Sequence, residues 1–196
     1  MSAVTVESFS KHEEGRRTSY VGMVMALASW TMLFASLFFA YAVLRLRSPM
    51  WPPEGVARLP RLLPFVNTLV LLASSVTLHR GTGRSTERSG ALHAALGRTI
   101  GLGALFLALQ LAVWIPLWRA GLRIDNSGPY GSIFYGLTVF HALHVLAGLV
   151  VLAALLPGAA RGRWVSGLQT RVRLSAMFWH FVDAVWVLMF VTIYLM

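Results

Sequence analysis

Apolar residues fall in five blocks along the chain, and nearly all charge lies in the gaps between them. The blocks run from about Tyr20 to Leu44, Leu63 to Leu78, Thr99 to Trp118, Gly131 to Leu156 and Leu174 to Leu195. Most are long enough for a helix to cross the hydrocarbon layer. The pattern predicts an all-α polytopic membrane protein, a bundle of five transmembrane helices (20–44, 63–78, 99–118, 131–156, 174–195). Residues 1–19 form a polar cytoplasmic tail and 20–196 the membrane domain. The tail's mixed charge and the length of the block after it argue against a cleaved signal peptide.

Each block has its own character. In the first, Gly22, Ala26, Ser29, Ser36 and Ala40 share a face, the kind of small-residue stripe that lets another helix come close in lipid. Four prolines between Ser48 and Leu62, including Pro52-Pro53 after Trp51, make the next segment a stiff loop. The second block is short and, with Asn67, Thr68, Ser74, Ser75 and Thr77, too polar for lipid on all sides, so protein neighbours are expected. His79 to Arg98 reads as a polar loop. Gly97, Gly101 and Gly103 open the third block, and Asp125-Asn126-Ser127-Gly128-Pro129 is a turn. Pro157-Gly158 is expected to end the fourth helix.

The last block carries the most information. At 3.6 residues per turn, Trp179, His180, Asp183, Trp186, Val187, Phe190 and Tyr194 form one stripe. Phe181, Val185, Leu188, Val191, Thr192 and Leu195 form an apolar back suited to lipid. A carboxylate mid-span costs about 2.5–3.5 kcal/mol on insertion scales, so Asp183 should face protein. His141 and His144 share a side of the fourth block with Phe134, Thr138, Val145 and Gly148, giving a second polar seam.

Composition sharpens this picture. The chain is 57% hydrophobic and 12% charged, with a formal net charge of +10. Its basic residues flank spans and form no basic domain, which argues against nucleic acid as a partner. Lys11, Arg16, Arg17, Arg80, Arg84, Arg88, Arg98, Arg161, Arg163, Arg171 and Arg173 fall on one side. Arg45, Arg47, Arg58, Arg61, Arg119 and Arg123 fall on the other. The positive-inside rule puts the N-terminus in the cytoplasm and the C-terminus outside. The absence of cysteine excludes disulfides, thiolate ligands and iron–sulfur sites.

Three chemistries are open to the seams. His141 and His144, three apart, could both face one metal or haem, but no Cys or Met pair completes a copper set. Asp183 could belong to a proton path, although it is the one acid expected in a span. The preferred reading is structural: a hydrogen bond from Asp183 to a histidine or tryptophan, with His141, His144, His180, Trp179 and Trp186 knitting helices together. It predicts that Asp183→Leu harms stability more than Asp183→Asn. No Walker loop, dinucleotide fingerprint or catalytic triad occurs, and no internal repeat supports a transporter.

Three blocks in order carry a resemblance. Trp51-Pro52-Pro53-Glu54-Gly55 is followed by Pro64-Phe65-Val66-Asn67-Thr68. Tyr130-Gly131-Ser132-Ile133-Phe134 leads into His141-Ala142-Leu143-His144-Val145. Trp179-His180-Phe181-Val182-Asp183-Ala184-Val185-Trp186 closes with Ile193-Tyr194. Together they resemble subunit III of the haem–copper respiratory oxidases, the cytochrome c oxidase family, from residue 20 to the end. Longer members have seven spans, and this chain looks like their last five.

The resemblance implies a non-redox integral subunit of a terminal oxidase in the bacterial cytoplasmic membrane. Such a chain would have no catalytic residue, cofactor or metal of its own. It would pack on subunit I and next to subunit II, with haem and copper in the partner and phospholipids in a cleft. Family members are thought to support proton uptake in an oxidase that couples oxygen reduction to proton translocation. Related alternatives are subunit III of a quinol oxidase and the accessory protein of nitric oxide reductase; a free-standing small transporter and an enzyme with its own haem are rivals from other classes. Two positions depart from the family. Ser29 stands where many members carry a membrane glutamate, and Arg173 where many carry another near the start of the last helix.

Overall fold

The computed structural model describes the backbone of residues 3–53, 59–84, 89–124, 128–160 and 166–195, and their side chains except at 3–12, 84, 89 and 166. Glu54, Gly55, Arg58, Arg88, Asp125, Asn126, Ser127, Arg161 and Arg163 lie outside the described residues. The described chain is all-helical: α1 Ala3–Arg47, α2 Leu62–Arg84, α3 Ser89–Arg119, α4 Gly128–Ala160 and α5 Ser166–Met189, which passes into a π-helical turn over Phe190–Leu195. All five are long and apolar enough to cross a membrane.

The helices run beyond the apolar blocks. A helix that leaves the bilayer keeps its backbone hydrogen bonds, so hydropathy marks the lipid boundary and not the helix end. Accordingly α1 is helical from Ala3, well before Tyr20. Most of the expected loop from His79 to Arg98 is helix, with α2 reaching Arg84 and α3 starting at Ser89. Pro157 does not stop its helix but sits inside α4, which ends at Ala160.

α2, α3, α4 and α5 form a four-helix ring, in which each helix packs on its chain neighbour and α5 closes back on α2. α1 lies outside that ring, against α4 and α5. Close approaches are made where side chains are smallest. A β-carbon on Gly81 would fall 2.2 Å from that of Ala95, so α2 and α3 touch backbone to backbone there. α3 ends in a left-handed glycine, Gly121, at φ 91°. Gly121 N–H donates to Trp118 O and Leu122 N–H to Leu117 O, while the Leu117 and Leu122 side chains are buried. That pairing is the Schellman cap. The Tyr135 hydroxyl then donates to Leu122 O at 2.9 Å, tying the loop to α4.

The expected lipid-facing back of α5 needs one correction. Leu188, Val191 and Leu195 are exposed, but Val185 is buried and Phe181 is half-buried. α1 covers that strip, with Phe34 ring-to-ring against Phe181.

Candidate functional site

The polar residues of α2 and the aromatics of α5 face each other along most of the membrane span. Trp179 Nε1–H donates to Ser74 Oγ at 3.0 Å, and Trp186 Nε1–H donates to Thr68 Oγ1 at 3.0 Å. His180 Nδ1 and Ser75 Oγ share a hydrogen bond next to the Trp179–Ser74 pair. Seven residues separate Trp179 from Trp186 and six separate Ser74 from Thr68, so the helices stay in step over two turns. Each such bond contributes about 1 kcal/mol net, and each sits where an unpaired indole N–H would cost more. α2 is therefore polar because it supplies the acceptors for α5.

The two glycines that flank Trp179 make room for it. A β-carbon on Gly103 would lie 2.7 Å from the Trp179 ring and 2.7 Å from Leu149; one on Gly148 would lie 2.9 Å from the ring. The indole thus fills a slot whose walls are α3 and α4. Of the three glycines that open the third block, only Gly103 has this contact; Gly97 and Gly101 have nothing within 4 Å of an added β-carbon.

The histidines do separate things. His141 is buried between Phe106 (ring centroids 5.8 Å apart) and Trp186 (5.2 Å), and neither ring nitrogen makes a hydrogen bond. His144 turns toward α1, where Trp30 and Phe34 meet its ring at 5.5 and 5.2 Å. Its Nδ1–H donates to Phe140 O of its own helix at 2.7 Å; a carbonyl can only accept, so the proton sits on Nδ1. The two rings do not face one space. Among the described residues no three His, Asp or Glu side chains gather as a metal site would require.

Asp183 is 4% exposed; its carboxylate oxygens make no hydrogen bond of ordinary geometry, and the Ser75 hydroxyl stands beside them. The expected bond to a histidine or tryptophan is not formed, because both tryptophans are turned to α2 hydroxyls and His180 to Ser75. Of the residues expected to knit helices by hydrogen bonds, Trp179, Trp186 and His180 do so. His141 and His144 make ring contacts instead.

The motif loops fall at the other end. Trp51, at the cis Trp51-Pro52 bond, inserts its ring between Tyr41 (5.7 Å) and Tyr130 (4.8 Å); Pro53 is half-buried beside it. Tyr130 and Gly131 are buried in the first turn of α4, and the Ser132 hydroxyl donates to Ile124 O. Asn67 Nδ2 donates to Gln110 Oε1 at 3.2 Å, a bond between α2 and α3. Sequence reasoning noted Ser74 and Ser75 as polar but gave them no role. The available signal was an α2 with five polar residues in its span, which has to find donors somewhere.

Among the described residues, the small-residue face of α1 packs on the core at Ala40 and is largely open elsewhere. Gly22, Ser29 and Ser36 are exposed, Ala26 and Ala40 half-buried, and the two serines return their hydroxyls to Met25 O and Leu33 O. α1 also packs through Phe34, Tyr41 and, half-buried, Trp30.

Comparison with known proteins decides the family. The model of the family "Cytochrome c oxidase subunit III" matches residues 6–196. The chain belongs to the cytochrome c oxidase subunit III family. It is 36% identical over 178 residues to "Cytochrome c oxidase subunit 3" of Synechocystis, spanning 89% of this chain and 74% of the relative. To the protein of the same name from Thermostichus vulcanus it is 30% identical over 197 residues, covering 100% of this chain and 94% of the relative. To that of Sus scrofa it is 33% identical over 196 residues, covering 92% and 73%. The likeness therefore reaches from bacterial to animal subunits, and this integral membrane chain is subunit III of a haem–copper oxidase.

Proposed function

We propose that the chain is the non-redox helical subunit that supports the catalytic core of a terminal oxidase during oxygen reduction coupled to proton translocation. The observation that carries this is the family match over residues 6–196. The way the signature residues are spent is consistent with it: Trp179, Trp186 and His180 go into helix-to-helix bonds, not into an open reaction site. Its direct partners would be subunit I, which holds haem and copper, and subunit II, with phospholipids along the exposed helix faces. The three relatives are named for cytochrome c, which favours a cytochrome over a quinol as electron donor. The arginine distribution supports an N-terminus in the cytoplasm and a C-terminus outside, and the membrane would be the bacterial inner membrane.

Purification from native membranes in mild detergent tests the assignment. Subunits I and II should co-elute with a haem spectrum, and the isolated chain should show no Soret band. A partnerless, monodisperse chain that moves ions in liposomes would overturn it. Because the chain has no cysteine, single cysteines placed at each terminus report orientation by labelling from either side.

A further inference from the structure

One set of side chains is not accounted for by packing. His79 is exposed near the end of α2, beside Arg80, where that helix leaves the apolar span. Its ring centroid is 6.1 Å from that of His180, which is half-buried between α5 and α2. His180 Nδ1 is hydrogen-bonded to Ser75 Oγ, one turn below His79 on α2. The same hydroxyl faces the Asp183 carboxyl, one turn below His180 on α5. His79 and Ser75 are about one turn apart on α2, as are His180 and Asp183 on α5, so the four groups lead from the margin of the span into the bundle across the α2–α5 seam.

A carboxyl that only held helices together would have its oxygens on donors. These two make no bond of ordinary geometry: the Ser75 hydroxyl beside them is engaged with His180, and the donors of Trp179 and Trp186, on the same helix face, are taken by α2 hydroxyls. Burial without a bond is costly, and the groups that lead away from Asp183 are the ones able to pass a proton on. The titratable groups on neighbouring helices are turned elsewhere. On α4, His141 lies against Phe106 and Trp186, and His144 against the rings of α1. From α2 the titratable group is His79 itself.

We propose that Asp183 is a proton-exchange site inside the bundle, connected to the aqueous margin at His79 through Ser75 and His180. For release, the carboxyl O–H breaks and its proton passes to Ser75 Oγ. The Ser75 hydroxyl proton moves at the same time to His180 Nδ1. The proton on His180 Nε2 then leaves toward His79 or water, so the ring ends neutral with its proton on Nδ1; it regains its first tautomer when Nε2 is reprotonated in uptake. Uptake runs the same steps backward, so protons balance and no redox partner is needed. The site uses this chain's residues alone and does not rest on which subunits surround it.

Infrared spectra of the intact complex test this. The carboxyl band lost in Asp183→Asn should shift when the wild-type complex is moved into D2O. In Ser75→Ala and in His180→Phe that shift should be slower by about tenfold or more, as expected when a positioned proton carrier is removed. Thr68→Val, which breaks the Trp186 bond farther along the same seam, should leave the exchange rate unchanged. If Asp183→Asn does not assemble, the Ser75→Ala complex, which keeps the carboxyl, carries the comparison. A carboxyl that never exchanges, or that exchanges as fast in Ser75→Ala and His180→Phe as in wild type, would overturn the proposal.

Discussion

α1 and α2 are both spans of a five-helix chain, yet they are held by different forces. α2 is joined to α5 by two indole–hydroxyl bonds and a histidine–serine bond, and to α3 by the Asn67–Gln110 pair. α1 is tied by the Tyr41 hydroxyl, which donates to Thr192 O at 2.8 Å, and rests largely on rings: Trp30 on Phe178, Phe34 on His144 and Phe181. In lipid there is little hydrophobic gain from helix contact, so directional bonds and close packing decide which helices stay together. The comparison teaches that the four-helix ring is the rigid unit and α1 the adjustable one.

The comparison can be broken most severely at the glycine slot. Gly103→Ala drives a methyl into Trp179 and Leu149 and should cost about 2–3 kcal/mol, read as a lower melting midpoint in detergent. Wild-type stability would mean that Trp179 can move and that the ring is not rigid. Trp186→Phe removes a bond to Thr68 and part of a buried ring, at about 1–2 kcal/mol; its signature is loosening of α2, measured as faster amide exchange there.

Tyr41→Phe should cost about 1 kcal/mol and affect α1 alone, exposing it to protease while the exchange of α2–α5 stays unchanged. Equal loosening of all five helices would erase the distinction drawn between them. The smallest effect is expected at Asp183. From sequence, Asp183→Leu looks worse than Asp183→Asn; with no bond of ordinary geometry to lose, Leu should instead be within about 1 kcal/mol of wild type and no worse than Asn, which keeps a buried unmet amide. Thermal midpoints of the two variants decide between these orders.

How much was legible follows the same division. Five spans were readable because lipid demands about twenty apolar residues whatever the partners are, and that demand is local. The stripe of Trp179, His180, Asp183 and Trp186 was readable because helix periodicity fixes which residues share a side. Helix ends were not, since His79 to Arg98 can stay helical in water as well as leave it. Val185 was assigned to the wrong surroundings because periodicity cannot say that α1 covers that side of α5.

The sequence by itself determined the class, the number of membrane helices, the polar-aromatic stripe of α5 and, through three ordered motifs, the family. Only the tertiary structure decided that α2 hydroxyls take the tryptophan N–H groups, that His141 and His144 look into different spaces, and that Asp183 is buried without a bond to histidine or tryptophan. The reason is physical. Periodicity and hydropathy act within one helix, whereas a hydrogen-bond partner is chosen by the rotation and depth of a second helix, which no single stretch of chain contains.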